Sequence, residues 1–216
     1  MSIELADVTL WSYFGGSMQT MIDSTAVSTL FTEARSQNGW TDKPVSDQQL
    51  RDLYELMKFC PTSANSQPAR LVFLRTTEAK ERLRPALSPG NVDKTMSAPV
   101  VAIIAHDTDF HTLLHKTFPH NPDFAAMFTG DEKRAVRDSF AFRNGSLQGA
   151  YLIMAARAIG LDCGPMSGFN NALVDQTFFN NGSVKSNFLC SLGYGDPAKV
   201  MERLLRLDFA EVCQLL

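Results

Sequence analysis

The run Pro99-Val100-Val101-Ala102-Ile103-Ile104-Ala105 limits what this chain can fold into more than any other stretch. It is uninterrupted apolar and rich in β-branched residues, without the alternation of a half-solvated strand. It is therefore expected to be a central strand covered on both faces. Further strands are predicted at Leu71 to Leu74 and Asn187 to Leu192. Ser46 followed by Gln49 forms a capping-box signature, and Leu50, Leu53, Tyr54 and Met57 then recur on one helix face. Thr76-Thr77 caps a helix carried by Ala79, Leu83 and Leu87. The longest predicted helix spans Asp131 to Ala158, apolar nearly all round from Ala150 to Ile159, with Gly160 as its stop. Gly145 and Gly149, with Ser146 between them, clear one face of it, which reads as room for a partner helix across a dimer. A short helix is expected from Thr25 toward Gly39. Helices and strands alternate irregularly, so the expected class is an α+β sandwich, a sheet wrapped by helices.

Charge and cysteine usage narrow the function classes. A net charge of −3 over 216 residues argues against a general nucleic-acid binder, which carries a basic stripe. No apolar run approaches a membrane span, and Met1 to Gln19 lacks the basic flank and apolar core of a signal peptide. Cys60, Cys163, Cys190 and Cys213 are widely spaced, with no CxxC pair, so reduced thiols in a cytoplasmic protein are the expectation. Residues 1–22 read as an N-terminal extension, either a docking arm or a poorly ordered tail, ahead of one domain over 23–216. The apolar tail at Phe209, Val212, Leu215 and Leu216 is expected to pack on the body or on a second subunit.

Candidate chemistry sits in polar clusters. Between Cys60 and Arg70, prolines at 61 and 68 bracket three hydroxyls, an Asn and a Gln, uncharged groups that both donate and accept hydrogen bonds. That set suits the rim of a flat heterocycle and is equally at home in an ordinary helix-to-strand loop. Arg35, Ser36 and Asn38 form either an anion grip or a solvated helix end. Gly164 to Phe169 reads as a loop whose glycines let its backbone approach a ligand. His106 to Gly130, with four histidines and several phenylalanines, reads as a mobile aromatic flap over a pocket. His111 and His115 stand four apart, but no carboxylate or cysteine has a matching spacing, so no metal site is assigned. Gly193-Tyr194-Gly195 lacks the third glycine of a dinucleotide fingerprint.

Five groups in order, at Arg35 to Asn38, Pro61 to Gln67, Asn91 to Lys94, Pro165 to Gly168 and Arg203 to Arg206, resemble the nitroreductase-like flavoprotein family over Thr25 to Leu216. Pro-Thr-Ser-Ala-Asn-Ser-Gln-Pro and Gly-Pro-Met-Ser-Gly-Phe carry most of the likeness. Ala34-Arg35-Ser36, Ser88-Pro89-Gly90-Asn91, Phe140 to Asn144, Lys185-Ser186-Asn187 and Gly193 to Asp196 resemble its malonic semialdehyde reductase branch in pyrimidine degradation. The resemblance implies a mainly antiparallel sheet wrapped by helices, in an intertwined homodimer with FMN at the subunit interface and NAD(P)H as co-substrate. It places Arg35, Ser36, Asn38, Arg203 and Arg206 at the phosphate and ribityl chain, and Asn91 and Lys94 at the pyrimidine edge. Pro165, Met166 and Gly168 would lie near N5, while Pro61, Thr62, Ser63 and Asn65 would come from the other subunit. Ala34 and Asn38 stand where relatives often carry basic residues, which implies a weaker phosphate grip. Ala69 replaces a frequent Trp and implies a more open site. The implied reaction is ping-pong reduction of malonic semialdehyde to 3-hydroxypropanoate, with Arg70 or Arg143 for the substrate carboxylate. The alternatives are a broad quinone or nitroaromatic reductase and a non-catalytic flavin-binding dimer.

Overall fold

A computed structural model describes residues 21–180 and 182–216; nearly all of the N-terminal extension lies outside these. Four strands form one antiparallel sheet in the order β1-β2-β4-β3. They are β1 (Ala69–Leu74), β2 (Val100–Asp107), β3 (Asp162–Met166) and β4 (Val184–Gly193). The apolar run behaves as its composition demands. β2 sits between β1 and β4 and is buried from Val100 to His106. Apolar side chains on both faces leave a strand only the middle of a covered sheet.

Helix α1 (Ser24–Val27) starts at an Asp23 cap and runs directly into a π-helical turn, Ser28–Thr32. α2 (Asp47–Met57) begins at the Ser46–Gln49 capping box and buries Leu50, Leu53 and Met57. α3 (Thr77–Leu83) is capped by Thr76, and α4 (Val92–Met96) follows the Pro89–Asn91 turn. After the short α5 (Leu114–Thr117) comes α6 (Arg134–Ala158), then α7 (Asn171–Phe178), capped by Asn170, and α8 (Phe209–Val212). Gly160, at φ 78°, ends α6 in the left-handed conformation that suits glycine.

Several expectations change. The helix from Thr25 stops at Glu33, so Arg35 to Trp40 is not helical; Ser36 bridges Cys163 at the outer edge of β3. Gly164 to Met166 is strand rather than loop. Pro165 is tolerated there because β3 has one full ladder neighbour, β4, and proline without an N–H belongs at such an edge. The phenylalanines of the expected flap fill a core of their own: Phe110, Leu114 and Phe128 are buried with Ala141, and Phe110 stacks on Phe140 at 4.9 Å. His106 belongs to β2. The tail does not pack on the body: Leu204, Leu205, Phe209 and Leu215 are all at least 62% exposed. No helix among the described residues is long and apolar enough to cross a membrane.

The small face of α6 also corrects a reading. It meets the chain's own sheet, not a partner helix: a Cβ on Gly145 would lie 2.8 Å from His106 Cβ, and one on Gly149 would lie 2.5 Å from the Phe188 ring. The opposite face carries half-exposed Leu147 and Tyr151, so the second half of α6 is not buried all round. Interiors packed at this density resist added volume. Gly149→Val is expected to cost about 1–3 kcal/mol through overpacking, seen as a lower urea midpoint at unchanged slope.

Candidate functional site

Four of the five polar groups converge on the β3 edge. The strip from Arg35 to Asn38 runs along the outside of β3, held by Gln37 N–H donating to Cys163 O at 2.9 Å. Trp40 Nε1 donates to Lys94 O at 2.9 Å and ties the strip to α4. Asn91 Nδ2 donates to Gly168 O at 2.8 Å, and the Ser88 amide donates to the same oxygen at 3.0 Å. A Cβ at Gly168 would lie 2.6 Å from Asn91 Nδ2, so that position needs glycine for close approach. Met166 is buried and its sulfur accepts from Thr95 Oγ1 at 3.2 Å, whereas Pro165 is exposed. The Lys94 ammonium, half-buried, has no ion-pair partner among the described residues.

A cavity of about 540 Å³ opens beside this edge, and Arg35, Arg157, Arg203 and Arg206 line it together with Ser36 and Asn38. Among the described residues none of the four guanidinium groups pairs with a carboxylate, although Glu202 borders the cavity. They bond neutral carbonyls instead. Arg35 donates to Met201 O, Arg157 to Leu30 O at 2.9 Å, Arg203 to Thr32 O at 2.6 Å and Arg206 to Leu204 O at 3.0 Å. Like charges gathered without counter-charge repel, and a multiply charged anion relieves that repulsion while accepting the fork of N–H donors. Arg157 was not among the sequence candidates. Its one signal is a lone basic residue inside an otherwise apolar helix segment.

The fifth group lies elsewhere. The loop from Pro61 to Gln67 sits at the β1 edge, and its backbone is strained: Ala64, Asn65 and Gln67 have φ of 50°, 45° and 44°. Non-glycine residues pay for such angles, and the cost persists only where surroundings enforce it. Two buried amides on α6 do so. Asn144 Oδ1 accepts from the Ser63 amide at 2.8 Å, and Gln148 Oε1 accepts from the Ala69 amide at 2.8 Å. Thr62 Oγ1 accepts from the Gln67 amide at 3.2 Å, and Asn65 Nδ2 donates to Thr117 O at 2.8 Å. Pro61, Ser63 and Asn65 stay exposed. Asn144 and Gln148, four residues apart and polar on a buried face, are the supports that sequence reasoning did not single out. Burial pushes the neighbouring Cys60 thiol above its ordinary pKa, so it stays protonated and a poor nucleophile.

The two edges are well separated. Asn144 holds the loop and Arg157 lines the arginine cavity; at roughly 1.5 Å of rise per residue they stand about 20 Å apart along α6. The open face of the loop borders a second cavity, about 730 Å³, lined by Asn65, Gln67, Arg70, Lys116 and Thr117. Arg70 there is already engaged, with Nη2 donating to Asp107 Oδ2 at 2.8 Å. Arg143, on α6 beside Asn144, is exposed and has no ion pair among the described residues.

Comparison with known proteins bears on this arrangement. Residues 32–195 match the family described as the nitroreductase family. A protein of Cupriavidus pinatubonensis, provisionally named an NADH dehydrogenase/NAD(P)H nitroreductase, is 62% identical over 86% of this chain and 95% of its own. HadB of Ralstonia pickettii, named in the same provisional way, is 57% identical over 90% of this chain and 100% of its own. Among solved structures, a provisionally assigned nitroreductase of Bacillus subtilis superposes with a TM-score of 0.81 at 19% identity, covering 90% of this chain and 100% of that one. One from Exiguobacterium sibiricum, solved in complex with FMN, gives 0.79 at 18% identity, covering 92% and 99%. At such identities the structures speak for the fold.

The amide supports make a direct test of the loop's construction. Asn144→Leu keeps the side-chain volume and leaves the Ser63 amide without its acceptor, a loss of about 1–3 kcal/mol. Amide hydrogen exchange at Ser63 should accelerate by one or more orders of magnitude, while exchange in β2 changes far less.

Proposed function

We propose, from the premise that this chain belongs to the nitroreductase family, that it is an FMN-dependent NAD(P)H oxidoreductase working as a homodimer with a site shared between subunits. The observation that carries the reading is the arginine cavity without carboxylate partners at one sheet edge, with the strained amide-rich loop at the other. The donor set fits the cofactor. Guanidinium groups and Ser36 suit a phosphate dianion, and Lys94 offers a free ammonium beside Asn91 for the electron-rich end of a flavin. Gly168, packed tightly against Asn91, fixes that amide beside the loop. When bound, FMN supplies a two-electron relay between a nicotinamide and an acceptor.

The separation of the two edges supports a site shared between subunits. In this reading Arg35, Ser36, Asn38, Asn91, Lys94, Pro165, Met166, Gly168, Arg203 and Arg206 of one protomer face Pro61, Thr62, Ser63 and Asn65 of its partner. Two unsatisfied features support the assembly. Among the described residues β1 has a neighbour on one side only, and an open edge seeks a cover. The tail from Met201 to Leu216 exposes a series of large apolar side chains, more than a solitary subunit would keep in water.

The acceptor we assign is malonic semialdehyde. The balanced reaction takes NAD(P)H, one proton and the aldehyde to NAD(P)+ and 3-hydroxypropanoate. Arg143, the uncommitted one of the two carboxylate candidates, would hold the acid end; Arg70 is tied to Asp107. A broad nitroaromatic or quinone reductase is the second reading, favoured by the names of the relatives and by the small Ala69 at the loop.

Purified protein loaded with FMN and freed of excess on a sizing column should carry flavin bands at dimer mass. NADPH oxidation should then be faster with malonic semialdehyde than with menadione or a nitrofuran, giving parallel double-reciprocal lines. Faster turnover of the quinone or nitrofuran would favour the broad reductase, and flavin without NAD(P)H oxidation would leave a binding protein only. Arg143→Ala should raise the aldehyde KM about tenfold or more, the loss of one charge-assisted bond, and leave the menadione KM unchanged.

A further inference from the structure

We infer that Arg157 is a phosphate ligand of the cofactor site, supplying from helix α6 the positive charge that the first grip lacks at Ala34 and Asn38. The inference rests on the FMN reading above and concerns one residue of it.

Three observations converge. Arg157 lines the same cavity as Arg35, Ser36, Asn38 and the tail arginines. Of its five N–H donors, those on Nη1 serve Leu30 O at 2.9 Å, with a long contact to Met154 Sδ at 4.0 Å, which leaves the others without a partner among the described residues. Its bordering acids do not neutralise it: Glu33 and Asp162 share a small adjoining hollow, neither comes within ion-pair distance, and Asp162 accepts from the Gly195 amide at 2.8 Å.

Position separates Arg157 from the other cations. Arg203 and Arg206 belong to an exposed tail, where solvent screens their charge, although Arg203 also bonds Thr32 O. Arg157 is half-buried and stands on the last turn of a 25-residue helix. Its guanidinium is clamped to the Ser28–Thr32 turn. A cation fixed before the anion arrives loses little entropy on binding, and partial burial strengthens its field. Arginine at a helix C-terminus also offsets the helix dipole, so a purely structural role must be separable by experiment.

The separating measurement is discrimination between FMN and riboflavin, which differ only in the phosphate. Apoprotein of the natural sequence, Arg157→Gln and Arg157→Lys would be titrated with each flavin by fluorescence quenching. Gln keeps an N–H donor for Leu30 O and removes the charge; Lys keeps the charge. The expected result is that Arg157→Gln loses about tenfold or more of the preference for FMN with riboflavin affinity nearly unchanged, while Arg157→Lys retains most of it. In the natural protein, FMN but not riboflavin should also protect Arg157 from phenylglyoxal, read by peptide mass, which covers the case in which Arg157→Gln does not fold. A natural-level FMN preference in Arg157→Gln, equal weakening of both flavins, or labelling indifferent to FMN would overturn the inference. Failure of the natural protein to bind either flavin would instead remove the cofactor reading on which it rests.

Discussion

Helix α6 approaches the sheet so closely that a methyl group on Gly149 would enter the Phe188 ring, and the placement of polar groups at both sheet edges depends on that contact. With glycines at 145 and 149 the helix backbone settles against β2 and β4, and the amides at 144 and 148, on the same face, come within reach of the loop and of β1. Three turns further on, the same rod carries Arg157 into the arginine cavity. One packing solution thus positions a strained loop and a cation that are far apart in sequence. A bulkier face would lift the helix and release both.

The loop shows how stability is exchanged for geometry. Left-handed backbone at Ala64 is the least favourable of its three departures, because alanine lacks the side-chain amide with which asparagine relieves that conformation. Buried hydrogen bonds from α6 offset the strain, since breaking them would leave donors unsatisfied out of water. The exposed Pro61, Ser63 and Asn65 are therefore presented in one fixed arrangement.

Legibility followed the strength of the local signal. β2 could be read because an all-apolar run has one place in a layered fold, and α2 because its cap and periodicity agree. β3 could not, since Gly164 and Pro165 are poor strand formers; pairing with β4 overrides them. The π turn after α1 leaves no mark in the sequence, and the helix expected to reach Gly39 hid the extended strip bearing Ser36. The polar groups of the site were visible as clusters, but their division between two edges depends on the sheet order. Gln148 and Arg157 escaped because each sits among apolar or small residues, where single polar residues carry little pattern, and Asn144 because nothing beside Arg143 marks it as a loop support.

The distance between the loop and the arginine cavity has a further thermodynamic meaning. If neither half alone retains the cofactor, occupancy becomes linked by mass action to subunit association, so apparent affinity rises with protein concentration and each bound cofactor tightens the pair in return. Dilution would then act as an off-switch with no dedicated regulatory element. In the proposed shared-site dimer, two subunits defective in opposite halves would reconstitute one intact centre per mixed pair, so damage inherited in one copy would be masked by different damage in another.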